Sequence, residues 1–291
     1  MKRGPTSQPR RDTLGRIAEA WHCARMKAFY LLVLAFAACR QEPVPPPTES
    51  QSKAAKAPTP AQRSSKPASF DLKDDLVDFH FGWSGEAAAV PELVRKLTKD
   101  KDKILAELKS GAEEERRERN QNKYGLTFNG FQSSNQYDTA GQSPRLLSLS
   151  VATSAYTGGA HANYGMSALL WDRLAKREIN FASLFAAPAN RDRLLMQRWC
   201  DALNRAREEK RGEPVGGSGM FDDCPPLDQI AVIPTDANKN GRFDQLRLVA
   251  SPYVAGSFAE GTYEVVLTVT PDLMAAIGNE YRSSFEAGQP Q

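Results

Sequence analysis

Two periods of alternation between hydrophobic and polar positions organise the chain from about residue 70 onward. Val77, Phe79, Phe81 and Trp83 alternate with Leu76, Asp78 and His80, which predicts a strand. Val90, Leu93, Val94 and Leu97, then Ile104, Leu105 and Leu108, recur at helical spacing. That helix continues into Glu113-Glu114-Glu115-Arg116-Arg117-Glu118-Arg119, where acids precede bases by three or four residues and support a solvated face. Strands are expected at Tyr124 to Gln132, Arg145 to Tyr156 and Met166 to Asp172. In the second of these, Leu147, Leu149 and Val151 alternate with Ser148, Ser150 and Ala152, the pattern of an antiparallel strand with one wet face. Ile179 and Phe181 lead into Ser183-Leu184-Phe185, and an amphipathic helix from Arg191 to about Arg211 carries Leu194, Leu195, Trp199 and Leu203. After a loop at Gly212 to Gly219, strands are expected at Gln229 to Pro234, Gln245 to Pro252 and Tyr263 to Thr270, and a last helix from Pro271 to about Phe285. Strands and helices in blocks predict an α+β fold, antiparallel sheet with flanking helices.

The first seventy residues read differently. Met26-Lys27, an apolar run from Ala28 to Ala38 and then Cys39 form a secretory signal, too short for a membrane span of about 20 residues. A cysteine directly after Ala37-Ala38 resembles a lipoprotein signal, in which Cys39 is lipidated and becomes the mature N-terminus. Phe36 stands where that pattern usually has leucine. Residues 1–38 are thus an upstream extension and signal, with Met26 the expected start. Residues 39–69, rich in Pro, Ser, Ala and Lys, form a disordered tether with polyproline character. Residues 70–188 and 189–291 are then two α+β subdomains, the second sharing the sheet of the first or packing on it.

Charge and cysteine usage narrow the function. The leader carries seven Lys/Arg against two Asp/Glu, so removing its +5 from the chain's +3 leaves −2. A nucleic-acid partner is disfavoured, since a binder concentrates basic charge on one face. An exported chain with Cys23 and Cys39 set aside keeps Cys200 and Cys224, which read as a disulfide contributing about 3 kcal/mol or, alternatively, as two buried thiols.

Two stretches carry candidate chemistry. Asp236, Asn238, Asn240, Arg242 (through its carbonyl) and Asp244, with Gly241 at the sixth place, match the first nine positions of an EF-hand calcium loop. The twelfth position is Arg247 where a bidentate Glu belongs, so the calcium expected there is bound weakly. The competing reading is a hairpin turning on Asn240-Gly241. In Tyr156-Thr157-Gly158-Gly159-Ala160-His161, His161 reads as a general base or ligand, or as a side chain holding the turn by a hydrogen bond. No nucleophile elbow, HExxH, phosphate loop or dinucleotide fingerprint occurs.

The segment Leu147-Ser148-Leu149-Ser150 through Tyr156-Thr157-Gly158-Gly159-Ala160-His161, with Asn180 to Phe185, Ser251 to Gly256, Gly261 and Glu264 to Val269, resembles a two-part extracytoplasmic module of unassigned function. Such modules occur in the lysozyme-sensing anti-sigma factor and ahead of the catalytic domain in some peptidoglycan deacetylases. The likeness covers about residues 70 to 285 and implies the binding module only. The expectation is a non-catalytic, lipid-anchored envelope protein, on the periplasmic side and at the outer membrane, since Arg40 is not the aspartate that retains lipoproteins inside. Its partner is expected to be a cell-wall fragment or an envelope protein such as lysozyme, bound by loops bearing Tyr156, Gly158, Gly159, His161, Tyr164 and Tyr253. The rival expectation is an envelope hydrolase or deacetylase centred on His161 with an acid such as Asp172 or Asp222.

Overall fold

A computed structural model describes residues 65–121, 127–215 and 219–289 of the chain. Contacts divide the chain after Ala55, and every described residue belongs to the unit Lys56–Gln291. The signal segment with Cys39 and nearly all of the tether lie outside the described residues, as do 122–126 and 216–218.

Six strands form one sheet in chain order: β1 (Ala68–Lys73), β2 (Val77–Trp83), β3 (Phe131–Gln142), β4 (Leu146–Tyr156), β5 (Asn163–Asp172) and β6 (Arg177–Ile179). All neighbours are antiparallel except β2 and β3, which run parallel. Parallel pairing needs a crossover. Here it is made by α1 (Gly85–Ala88), capped by Ser84, and by α2 (Pro91–Gln121). Leu93, Leu97, Leu108 and Ala112 of α2 pack on Phe79, Phe81, Leu147, Leu149, Leu169 and Trp171, so one face of the sheet is closed by that helix.

A second sheet, β7 (Ala231–Thr235), β8 (Gln245–Ala250) and β9 (Tyr263–Thr268), is an antiparallel meander. Ala231, Ile233 and Val249 face the first sheet and meet Ala140, Met166 and Ala168. The alternate positions Val232, Leu246, Leu248, Val265 and Leu267 face α3 (Pro188–Arg211). On that helix Leu195, Trp199 and Leu203, spaced by four, are fully buried, and the Trp199 indole donates to Pro225 O at 3.0 Å. Cys200 and Cys224 are joined by a disulfide, with Cα atoms 5.6 Å apart.

The α+β class read from the sequence is the observed one, and several details differ. Ser148 and Ser150 are buried rather than wet, because the second sheet covers that face of β4. The strand expected to end at Gln132 instead begins at Phe131 and runs to Gln142. Its residues Gln132 to Gln136 are polar on both faces, so no alternation announces it, and pairing on both sides enforces the extended backbone. β1 begins at Ala68, inside the stretch read as tether; it is a half-exposed edge strand with only Phe70 and Leu72 as large apolar residues. The single last helix is two, α4 (Pro271–Ala276) and α5 (Asn279–Arg282). Between them Ile277 is extended and bridges Phe185, and the Gly278 amide donates to Leu184 O at 2.8 Å.

Candidate functional site

The loop joining β4 to β5 and the loop joining β8 to β9 meet at one end of the molecule. In the first, Gly158 (φ 86°) and Gly159 (φ 143°) adopt backbone that side-chain-bearing residues resist, and a Cβ on Gly158 would come 3.0 Å from the Arg119 guanidinium at the end of α2. The tight turn leaves His161 exposed, with Nδ1 3.1 Å from Ala162 O. A carbonyl only accepts, so Nδ1 is the donor in this contact.

The second loop carries Tyr253 at φ 69°, 56% exposed, its amide donating to Gly256 O at 2.9 Å. A tyrosine in the left-handed region costs on the order of 1–3 kcal/mol, which the surrounding structure must hold. Three residues beyond Ala255, a single 3₁₀ turn (Phe258–Glu260) opens with Ser257 and closes with Glu260 in a capping box. That turn presents Phe258, around which the other rings gather. His161 stacks on it at 3.8 Å between centroids, Tyr164 meets it edge-on at 5.5 Å and Tyr253 lies 5.7 Å away at 33°. Tyr164 is 44% exposed, so the cluster is a platform at the surface and not a core.

The structure therefore brings together His161, Tyr164 and Tyr253 from the expected set. Tyr156 turns back on its own loop, its hydroxyl donating to Gly159 O at 3.3 Å. Phe258, the centre, was not singled out by the sequence; the Ser257-x-x-Glu260 box was the available signal for a turn that would project it. Tyr164 shares its face of β5 with Met166, two residues on. Met166 and Ser251 line a cleft of about 740 Å³ between β5–β6 and β7–β8, together with Asn180, Phe181 and Gln229. The Met166 amide donates to Ser251 Oγ at 3.0 Å, tying the strand to the loop that bears Tyr253.

Neither acid of the rival reading bonds to His161. Asp172 ends β5 at the far end from Tyr164, eight residues or about 26 Å of strand away. It is fully buried and accepts from Arg145 (2.9 Å), from the amides of Leu174 and Ala175 (2.9 Å each) and from the Tyr281 hydroxyl (3.2 Å). Burial alone would raise its carboxyl, and these donors outweigh burial and hold it below the ordinary value. Asp222 pairs with Arg211 at 3.1 Å and accepts from the Gly219 amide at 3.0 Å.

The Asp236 to Asp244 loop closes the β7–β8 hairpin. Asp236 accepts from the amides of Asn240 (3.0 Å) and Gly241 (2.9 Å), Asn238 from that of Asn240 (3.1 Å), and Asn240 from that of Arg242 (3.0 Å). Asp244 accepts from the Ala237 amide at 2.8 Å. Glu286 arrives from beyond α5 and accepts from Asn238 and Asn240 side chains at 2.6 Å each, while Arg242 pairs with it at 2.7 Å. Glu286 thus brings a carboxylate to this loop from a distant part of the chain. Asp236, Asn238, Asn240, Asp244 and Glu286 each have a side-chain oxygen engaged in hydrogen bonds or an ion pair. Among the described residues no set of three His, Cys, Asp or Glu side chains converges closely enough to form a metal site by itself.

Residues 81–164 match the family described as deacetylase PdaC. The matched segment runs from β2 to the platform residue Tyr164 and contains the Gly158-Gly159-Ala160-His161 turn. Among solved structures, a member of the DUF3298 family from Bacteroides fragilis NCTC 9343 is 14% identical over 77% of this chain and 98% of its own, with a TM-score of 0.45. A DUF3298 family protein from Pseudomonas aeruginosa PAO1 is 15% identical over 73% and 95%, with a TM-score of 0.41. None of the curated proteins compared with the chain matches it. The likeness to the PdaC family thus covers the segment that holds the glycine turn. Among the described residues no helix is long and apolar enough to cross a membrane.

Proposed function

We propose that the protein is an envelope binding module, held to a membrane by lipid on Cys39, that takes a cell-wall glycan on the platform of His161, Tyr164, Tyr253 and Phe258. The observation that carries this reading is the gathering of three exposed rings around Phe258, from the β4–β5 turn, the start of β5 and the β8–β9 loop. Sugar rings present C–H faces that stack on aromatic faces, while their hydroxyls seek polar edges. The Tyr164 and Tyr253 hydroxyls and His161 Nε2 supply those edges. A shallow surface platform contacts only a few sugar rings at a time, so one site binds weakly. Many tethered copies facing a polymer would raise the effective concentration of that site. The cleft beside Met166 and Ser251 gives a longer glycan room to continue.

Calorimetric titration of the purified chain with peptidoglycan glycan strands tests the reading. Phe258→Ala is expected to weaken binding at least tenfold, with a melting temperature close to that of the parent chain because Phe258 is only partly buried. Equal binding by parent and variant would overturn it. Capture of a chicken-type lysozyme, with no response to glycan, would replace the sugar by an envelope protein as the ligand.

A further inference from the structure

The platform is built on one face of α3. Cys200, Asn204, Arg207 and Arg211 are spaced four, three and four apart, so they line one stripe of that helix. Arg207 is fully buried. Its Nε donates to Ala255 O at 3.0 Å, one terminal nitrogen to Asn204 Oδ1 (3.0 Å) and Asp222 O (3.2 Å), and the other to Asp223 O at 3.0 Å. All four acceptors are neutral. Burial draws the guanidinium below its ordinary pKa, the mark of a charge retained against its desolvation. An apolar side chain of similar length would fill the volume but could not clasp three carbonyls from two distant segments.

Those segments are the two that matter. Ala255 lies two residues past Tyr253 and three before Phe258. Asp222 and Asp223 precede Cys224, whose disulfide to Cys200 fixes them against the same stripe. Lys210 adds bonds to Glu260 O (2.8 Å) and Thr262 O (3.0 Å), and Arg211 joins Glu260 to Asp222 at 2.9 and 3.1 Å. We infer that Arg207 is the positioning residue of the platform: it sets the spacing of Tyr253 and Phe258 from beneath without touching the ligand, and the Cys200–Cys224 crosslink holds its acceptors in place. The inference deepens the glycan reading and rests on it for the ligand. The positioning itself is observable without one.

The test uses the purified chain, Arg207→Lys and the pair Cys200→Ser/Cys224→Ser. Amide exchange is followed across residues 251–261, and affinity for peptidoglycan glycan strands is measured alongside. Lysine keeps the charge and loses the fork, so exchange in 251–261 is expected to quicken at least tenfold while amides of β3, β4 and β5 keep their rates, with glycan affinity falling at least tenfold. The double serine variant should show the same local loosening, and it serves if Arg207→Lys does not fold. Exchange that quickens by one factor throughout the chain would make Arg207 an ordinary stabilising residue and overturn the inference. So would variants that hold glycan as tightly as the parent. Local loosening in the variants of a chain that binds no glycan would uphold Arg207 as positioning residue and remove the glycan.

Discussion

Replacing Glu260 by Gln removes one charge from beneath the platform and leaves the shape of the side chain almost intact. The carboxylate accepts from the Tyr263 hydroxyl, from Arg211 Nε at 2.9 Å and from the Ser257 amide at 3.0 Å, with 21% of its side chain exposed. Burial pushes the carboxyl up, but the Tyr263 hydroxyl, the Ser257 amide and Arg211 together outweigh it and hold the pKa at about 2, against 4.5 ordinarily. The folded pKa is depressed, so the stabilisation is complete above the unfolded value and is lost as pH falls from about 4.5 to about 2. A difference of this size corresponds to about 3 kcal/mol, and partial solvent screening reduces it to about 2. Urea unfolding followed by circular dichroism, at steps from pH 7 to pH 2, measures the gap between Glu260→Gln and the parent chain. Other depressed carboxylates, Asp74, Asp172 and Glu286 among them, shape both curves alike and cancel in the difference. The gap should be near 2 kcal/mol at neutral pH and close to zero at pH 2. A gap that stays constant with pH would refute the reasoning, because it would assign the loss to packing.

Asp172→Asn strips the buried partner from Arg145 and is expected to cost about 3–5 kcal/mol in urea unfolding. Glycan capture by the still-folded variant should be unchanged; its loss would bring Asp172 back into the site. For the Asp236 to Asp244 loop, calcium at several millimolar is expected to raise the melting temperature over chelator, and Glu286→Gln to abolish the rise. A melting curve indifferent to calcium would leave that loop a hairpin closure.

Where burial follows a period, the sequence was readable. Leu195, Trp199 and Leu203 announce α3, and Tyr263, Val265 and Leu267 announce β9, because one face of each is apolar and the other is not. β3 was misplaced since its strand character comes from two neighbouring strands, a long-range cause that polar residues such as Ser133 and Asn135 do not advertise. The break at Gly278 depends on Leu184 O, nearly a hundred residues earlier. At the site, the glycine turn and Tyr253 were visible as local chemistry. Phe258 was not, since what distinguishes it is convergence of His161 and Tyr164 from the β4–β5 turn and the start of β5. Glu286 escaped for the same reason: no spacing rule links it to Asp236.

The strand order has a consequence for delivery of the chain. Within each sheet every strand lies beside the one made just before it. A chain arriving N-terminus first can pair each strand as it appears, with one delay while the 31 residues of α2 pass between β2 and β3. Order of emergence and order of pairing coincide, so apart from the β1 edge a half-delivered chain leaves only its growing strand open to unwanted partners.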